Sequence, residues 1–227
     1  MYDTVICIPY RNRKAQLSRF LSDVVPLLPK DFHVVVIEQD DNRMFNRGAL
    51  LNIAHTLFKE KTTYLMTHDV DIYPTQETIN TLYTKPVDEN HVQGIYTSVC
   101  NTLGGIIKFR PATFQAVNGF PNDYWGWGVE DKALQNRCET YAMTITKNIL
   151  NNDPERTKYF TILNDVDDRV KPADLVRRTH KDYHQFPYLT RSEKTMTILK
   201  SGLNSLVFEA KESNTNDTVT HYVVKIL

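Results

Sequence analysis

Short β-branched runs alternate along this chain with longer stretches whose apolar positions recur at helical spacing. Residues 5–8 form an apolar run ended by Pro9, and residues 15–28 carry apolar side chains three or four apart until Pro29, which predicts a strand followed by a helix. Residues 34–37 predict a second buried strand, and residues 48–58 place Leu50, Leu51, Ile53, Ala54, Leu57 and Phe58 on a helical stripe. Residues 63–66 predict a third strand that runs into His68-Asp69-Val70-Asp71, with Pro74 opening the next helical stretch. Alternation of this kind predicts an α/β fold, in which a mainly parallel central sheet is flanked by helices on both faces.

In the second half, residues 94–99 and 105–109 read as strands around a Gly104-Gly105 turn, and residues 131–141 as a helix after a Gly/Trp loop. Residues 206–210 and 218–226 predict a C-terminal β-hairpin joined by the polar turn KESNTND. Residues 156–195 are polar and aperiodic, as expected of a mobile functional loop. No repeat, low-complexity tract or linker divides the chain, so residues 1–227 are expected to form a single domain.

Composition narrows the partners. At 41% hydrophobic and 11% aromatic, 227 residues can bury one sizeable core. Lys+Arg and Asp+Glu number 27 each, so no global field recruits nucleic acid or an anionic membrane. No apolar run approaches the roughly 20 residues of a transmembrane segment, and MYDTVICIPYRNRK holds no signal-peptide core. Cys7, Cys100 and Cys138 are odd in number and far apart, as expected of buried thiols in a reducing compartment. A cytoplasmic location follows as the expectation.

Three clusters carry candidate chemistry. Asp69 and Asp71 stand directly after a predicted parallel strand, at the sheet edge where ligands bind, and two hard oxygen donors there suit Mg²⁺ or Mn²⁺ bridging a diphosphate. Capping of the next helix is the plainer use of the same pair. In Tyr124-Trp125-Gly126-Trp127-Gly128-Val129-Glu130-Asp131, indole faces suit sugar rings, glycines admit a close ligand, and a carboxylate can serve as general base. Pro9, Tyr10, Arg11 and Arg13 after the first strand, with Phe45 and Arg47 after the second, fall where a nucleotide crevice is expected, although each arginine singly reads as a solvated helix start. Of seven histidines, His180 stands out within the polar loop as a partner for a borderline ion such as Mn²⁺.

Six ordered blocks, IPYRNR, FNRGALLNIA, HDVDIYP, GGIIKF, NGFPNDYWGWGVED and SGLNSL, resemble those of the β-1,4-galactosyltransferase family of inverting enzymes with the GT-A fold, and HDVD is closest to its xylosylprotein branch. The resemblance spans nearly the whole chain. It implies Asp71 and His180 as metal ligands, Asp69 near the ribose and donor sugar, Asp131 as catalytic base, Glu130 and Gly128 at the donor, and Trp127 as a mobile lid over the sugar. Arg11, Arg13, Phe45 and Arg47 fall on its UDP-binding blocks, Trp125, Asp131 and Lys132 on its acceptor side, and residues 178–194 on its long lid.

The departures from the family pattern carry information too. Arg177 replaces a Met found three residues before the metal His in some members, which leaves Asp182 or His184 to complete the shell. Lys132 replaces an acidic residue and points to an acidic glycan acceptor. Thr102 replaces a donor-crowding Tyr, so UDP-GalNAc rivals UDP-galactose as donor. A non-catalytic carbohydrate- or nucleotide-sugar-binding protein on the same fold is the competing reading.

Overall fold

Strand β1, Tyr2–Tyr10, sends Val5 and Cys7 into one apolar layer and Ile6 and Ile8 into the other, so both its faces are covered. Strand β2, Phe32–Gln39, divides Val35 and Ile37 from Val34 and Val36 in the same way. This two-sided burial explains why these strands read as unbroken β-branched runs. In the computed structural model, which describes residues 1–98, 102–126, 128–163 and 183–227, they form the middle of an eight-stranded sheet.

The other strands of the sheet are β3 (Thr62–Thr67), β5 (His91–Thr97), β6 (Ile106–Phe109), β7 (Thr144–Leu150), β9 (Phe208–Thr215) and β10 (Val219–Ile226), in spatial order β7-β5-β6-β3-β1-β2-β10-β9. The pairs β1–β2, β1–β3, β2–β10 and β5–β7 are parallel. The pairs β3–β6, β5–β6 and β9–β10 are antiparallel. A small antiparallel ladder of β4 (Ile72–Pro74) and β8 (Phe160–Ile162) hangs beyond the end of β3. The expected α/β architecture with a mainly parallel sheet is therefore present.

Several expected boundaries move. Helix α1 is Lys14–Asp23 and gives way to a 3₁₀ turn, Val25–Leu27, because Pro26 lacks the N–H needed to continue it; the stop lies three residues before Pro29. Helix α2, Arg47–Phe58, starts where the Asn46 side chain accepts from the Ala49 N–H. After β4, Thr75 caps a single turn, α3 (Gln76–Thr78), which widens into a π turn at Ile79–Tyr83. Helix α4 (Pro111–Ala116) and helix α5 (Glu130–Thr140) follow.

Strand β7 escaped the pattern because its residues alternate exposed and half-buried on a sheet edge and most of its side chains are polar. The described parts of 156–195 are also more regular than expected. They include α6 (Arg156–Tyr159), β8, a 3₁₀ turn at Phe186–Tyr188, and α7 (Arg191–Lys200), which a Thr190–Glu193 capping box initiates. Residues 164–182 and Val99 lie outside the described residues. The first hairpin strand is longer than predicted, since KESNT continues β9 as an exposed edge. Cys7 and Cys138 are buried free thiols, while Cys100 is outside the described residues. Among the described residues, no helix is long and apolar enough to cross a membrane.

Candidate active site

Three parallel strands end along one sheet edge, and their following loops enclose a cavity of 600 Å³. The end of β1 contributes Pro9, Arg11 and Arg13, the loop after β2 contributes Phe45 and leads to Arg47, and β3 delivers Asp69 and Asp71. This is the carboxyl edge where open α/β sheets bind ligands. Arg11 donates through Nη1 to the Arg43 carbonyl and through Nη2 to the Asp41 carbonyl at 3.2 Å, so it braces the opposite lip. Tyr10 packs with Ile6 and Ile8, edge-on to His221, and burial followed by the nearby Glu38 charge raises its pKa.

Arg47 is the electrostatic centre. Its Nε and Nη2 each lie 2.8 Å from Asp69 Oδ1, and its Nη1 is 4.0 Å from Glu130 Oε1. Among the described residues its hydrogen bond is made through Nε to Asp69, while the buried Nη1 and Nη2 meet Glu130 and Asp69 as ion pairs. Burial works against the charge on Arg47, but Asp69, Glu130 and Asp131 outweigh it and hold the guanidinium protonated.

Glu130 and Asp131 come from a different wall. The Gly126 N–H donates to the Phe45 carbonyl at 2.7 Å, which ties the Trp loop to the nucleotide side, and Trp125 lies 4.3 Å beneath the Arg43 guanidinium. Val129 then adopts left-handed backbone (φ 61) before α5 begins. That conformation is rare for a β-branched residue and marks a position where the surrounding structure imposes strain. It brings Glu130 and Asp131 into the first turn of α5. Opposite them, a Cβ on Gly104 would stand 2.3 Å from Asp131 Oδ2, so only glycine lets this carboxylate seat against the backbone. The same carboxylate accepts from the Lys132 N–H at 2.8 Å.

The two acids share a half-buried setting and are pushed in the same direction. Burial and then the neighbouring Asp131 charge raise Glu130 to about 7, with Arg47 opposing, while burial raises Asp131 against the pull of Arg47. Each acid of the pair therefore gives up its proton less readily than a free carboxyl group.

The remaining expectations fall as follows. Thr102 is buried, 2.9 Å from the Ser98 hydroxyl. Lys132 lies 5.4 Å from the Tyr183 ring. His184 is exposed beside Tyr183. Trp127, His180 and Asp182 lie outside the described residues, and among the described residues no three His, Cys, Asp or Glu side chains converge on a metal position. Asp71 lines the cavity, and Asp69 beside it is engaged by Arg47. Two contributors escaped notice in the sequence: Arg43, which stacks on Trp125, and Gly104, whose paired glycine was read as a turn.

Comparison with known proteins decides the family. Residues 1–84 match the N-terminal region of glycosyl transferase group 7, and residues 88–162 match the N-terminal domain of galactosyltransferase. The chain belongs to the β-1,4-galactosyltransferase family. β-1,4-galactosyltransferase 3 of Cricetulus griseus is 30% identical over 223 residues, which cover 92% of this chain and 52% of that protein. β-1,4-galactosyltransferase 4 of the same species is 31% identical over 194 residues, 78% of this chain and 55% of that one. The chain thus spans about half the length of the curated relatives it matches. The catalytic domain of Drosophila β-1,4-galactosyltransferase 7, solved with xylobiose, superposes with a TM-score of 0.72 at 21% identity and covers 100% of this chain and 94% of its own. A mutant of that enzyme, solved with manganese, UDP-Gal and xylobiose, gives 0.69. The fold is GT-A.

Proposed function

We propose that this family member is an inverting, metal-dependent glycosyltransferase that moves galactose or N-acetylgalactosamine from its UDP-sugar to a carbohydrate hydroxyl, in a β-1,4 linkage. The observation that carries this reading is the Arg47 guanidinium, which joins Asp69 beside the cavity to Glu130 at the start of α5. One buried cation thereby links a nucleotide-side carboxylate to a pair of carboxylates with raised pKa, the arrangement a transferase needs between leaving group and base.

In this mechanism Asp131 accepts the proton of the acceptor hydroxyl as its oxygen attacks the anomeric carbon from the face opposite UDP. The carbon–oxygen bond to UDP breaks with its electron pair on the β-phosphate oxygen, and one displacement inverts the centre. Asp71, with His180 and either Asp182 or His184, would hold a divalent cation such as Mn²⁺, which offsets the charge gathering on the departing diphosphate. Arg11, Arg13 and Arg47 hold the phosphates, and Phe45 borders the base. Gly128 and Glu130 serve the donor sugar in this reading, with Trp127 as its lid and Trp125 and Lys132 for the acceptor, where the lysine favours an acidic glycan. All 227 residues serve as one catalytic domain in this reading.

The test is UDP release from UDP-galactose, UDP-GalNAc and UDP-glucose, with Mn²⁺ and with chelator, in the presence and absence of glycan acceptors. Mn²⁺-dependent release from one of the first two supports the reading. UDP-sugar binding with no release under any condition would establish a binding protein instead. Thr102 supplies the donor test: Thr102→Tyr should reduce use of UDP-GalNAc relative to UDP-galactose by crowding the C2 substituent.

A further inference from the structure

His68 takes no direct part in the chemistry above, yet it lies fully buried between the end of β3 and the carboxylate turn. Its Nδ1 is 2.9 Å from the carbonyl oxygen of the next residue, Asp69. A carbonyl can only accept, so Nδ1 carries the hydrogen. Burial holds the imidazole neutral, lowering its pKa to about 4, and a neutral ring with hydrogen on Nδ1 presents a lone pair at Nε2. The Tyr83 hydroxyl, 2.7 Å away and also buried, donates to that lone pair. The ring therefore has one tautomer and one orientation.

Tyr83 reaches this place through the π turn Ile79–Tyr83, in which the Thr84 N–H bonds to the Ile79 carbonyl at 3.2 Å. The wider turn shifts the following side chain relative to an α-helix, and such turns recur at functional sites. Buried Lys108 fixes its far end by donating to the carbonyls of Tyr83 and Lys85. At the near end the Asp69 carbonyl receives a second donor, the Ile72 N–H at 3.3 Å, which closes the Asp69–Ile72 turn. Within that turn Asp69 meets Arg47 while Asp71 lines the cavity.

We propose that His68 and Tyr83 are positioning residues for the carboxylate turn: a hydrogen-bonded chain from Lys108 through Tyr83 and His68 to the Asp69 carbonyl holds Asp71 in place to bind the divalent cation and, with it, UDP. This deepens the transferase reading and rests on it. Such supports behind a ligand commonly contribute 10- to 100-fold in metal affinity, roughly the range expected here.

The test measures Mn²⁺ binding in the presence of UDP by the EPR signal of free Mn²⁺, with thermal stability recorded on the same samples. Tyr83→Phe keeps the ring and removes the donor; it should weaken Mn²⁺ binding by about 10-fold. His68→Leu should weaken it further, and His68→Asn, whose amide nitrogen replaces Nδ1, should recover much of the loss. Phe20→Leu is the packing control, because the Phe20 ring contacts His68 edge-on at 5.0 Å without a hydrogen bond. It should lower Tm and leave Mn²⁺ affinity unchanged. Ring ¹⁵N shifts should show hydrogen on Nδ1 of His68 in the parent protein. If Tyr83→Phe and His68→Leu lower Tm but bind Mn²⁺ like the parent, or if the proton sits on Nε2, the positioning role is overturned while the transferase reading stands. If the parent protein binds no Mn²⁺ with UDP, both fall.

Discussion

The site contains two pairs of carboxylates that look alike in sequence and stand in different surroundings. Asp69 and Asp71 follow a parallel strand and border an open cavity, and the Asp69 side chain remains 32% exposed even while paired with Arg47. Glu130 and Asp131 begin a helix after strained Val129, with the Glu130 side chain 17% exposed and both pKa values raised. Desolvation and the charge each acid of the second pair sets against the other distinguish them. Carboxylates at an open edge can exchange water for a cation, whereas half-buried neighbours gain basicity because their second charge is poorly solvated.

If that division holds, the largest effect belongs to the half-buried pair. Asp131→Asn should reduce transfer by about 10²- to 10⁴-fold, the usual contribution of a general base, while UDP-sugar and Mn²⁺ still bind. Initial rates and calorimetry on one preparation check it, and transfer near the parental rate would remove Asp131 from its role. Asp71→Ala should give the opposite pattern, with Mn²⁺-dependent UDP binding weakened by at least about 100-fold, beyond the 10- to 100-fold typical of outer supports. Equal loss of binding in both variants would erase the distinction.

Arg47 joins the two pairs, so its removal tests whether they depend on each other. Arg47→Met keeps much of the side-chain length but leaves Glu130 facing Asp131 without a buried counter-charge. Loss of one member of a buried ion pair costs about 3–5 kcal/mol, and partial hydration of Asp69 places the expectation near the lower end, about 3 kcal/mol. Denaturant unfolding at neutral pH reads it directly. A loss within error of zero would show that solvent, not Arg47, compensates these acids.

Much of this arrangement was legible beforehand, and the exceptions share physical causes. Strands β1 to β3 announced themselves because burial on both faces demands unbroken apolar runs, and Asp69, Asp71, Arg47, Glu130 and Asp131 were located from their places at strand and helix ends. Strand β7 and the extension of β9 through KESNT were obscure because a partly or largely exposed edge needs little apolar patterning. Helix α7 was signalled by Thr190 and Glu193, a capping box inside a polar stretch that its composition masked. Tyr10, expected beside the nucleotide, shares the apolar layer of Ile6 and Ile8, as alternation along β1 dictates. The tether from His68 to Tyr83 joins groups 15 residues apart across a π turn, which no simple periodicity encodes.

The smallest expected effect is on stability and shows most cleanly how the two pairs differ. Glu130 has an ordinary value of 4.5 and a folded value of about 7, so between those limits the folded protein keeps a proton that the unfolded chain has released. Stability follows the difference in bound protons. The contribution from this group is fully present below pH 4.5 and is lost as pH rises through about 7. Glu130→Gln resembles the protonated acid at every pH. It should therefore match the parent near pH 4.5 and exceed it in stability above pH 7, as measured by denaturant midpoints across that range. Adding Asp131→Asn to the comparison separates the causes, because removing the neighbouring charge should narrow the window while burial keeps part of it open. A parent and Gln variant whose stabilities stay parallel from pH 4.5 to 8 would show that Glu130 titrates like an exposed carboxylate, and the proposed contrast between the two pairs would lose its basis.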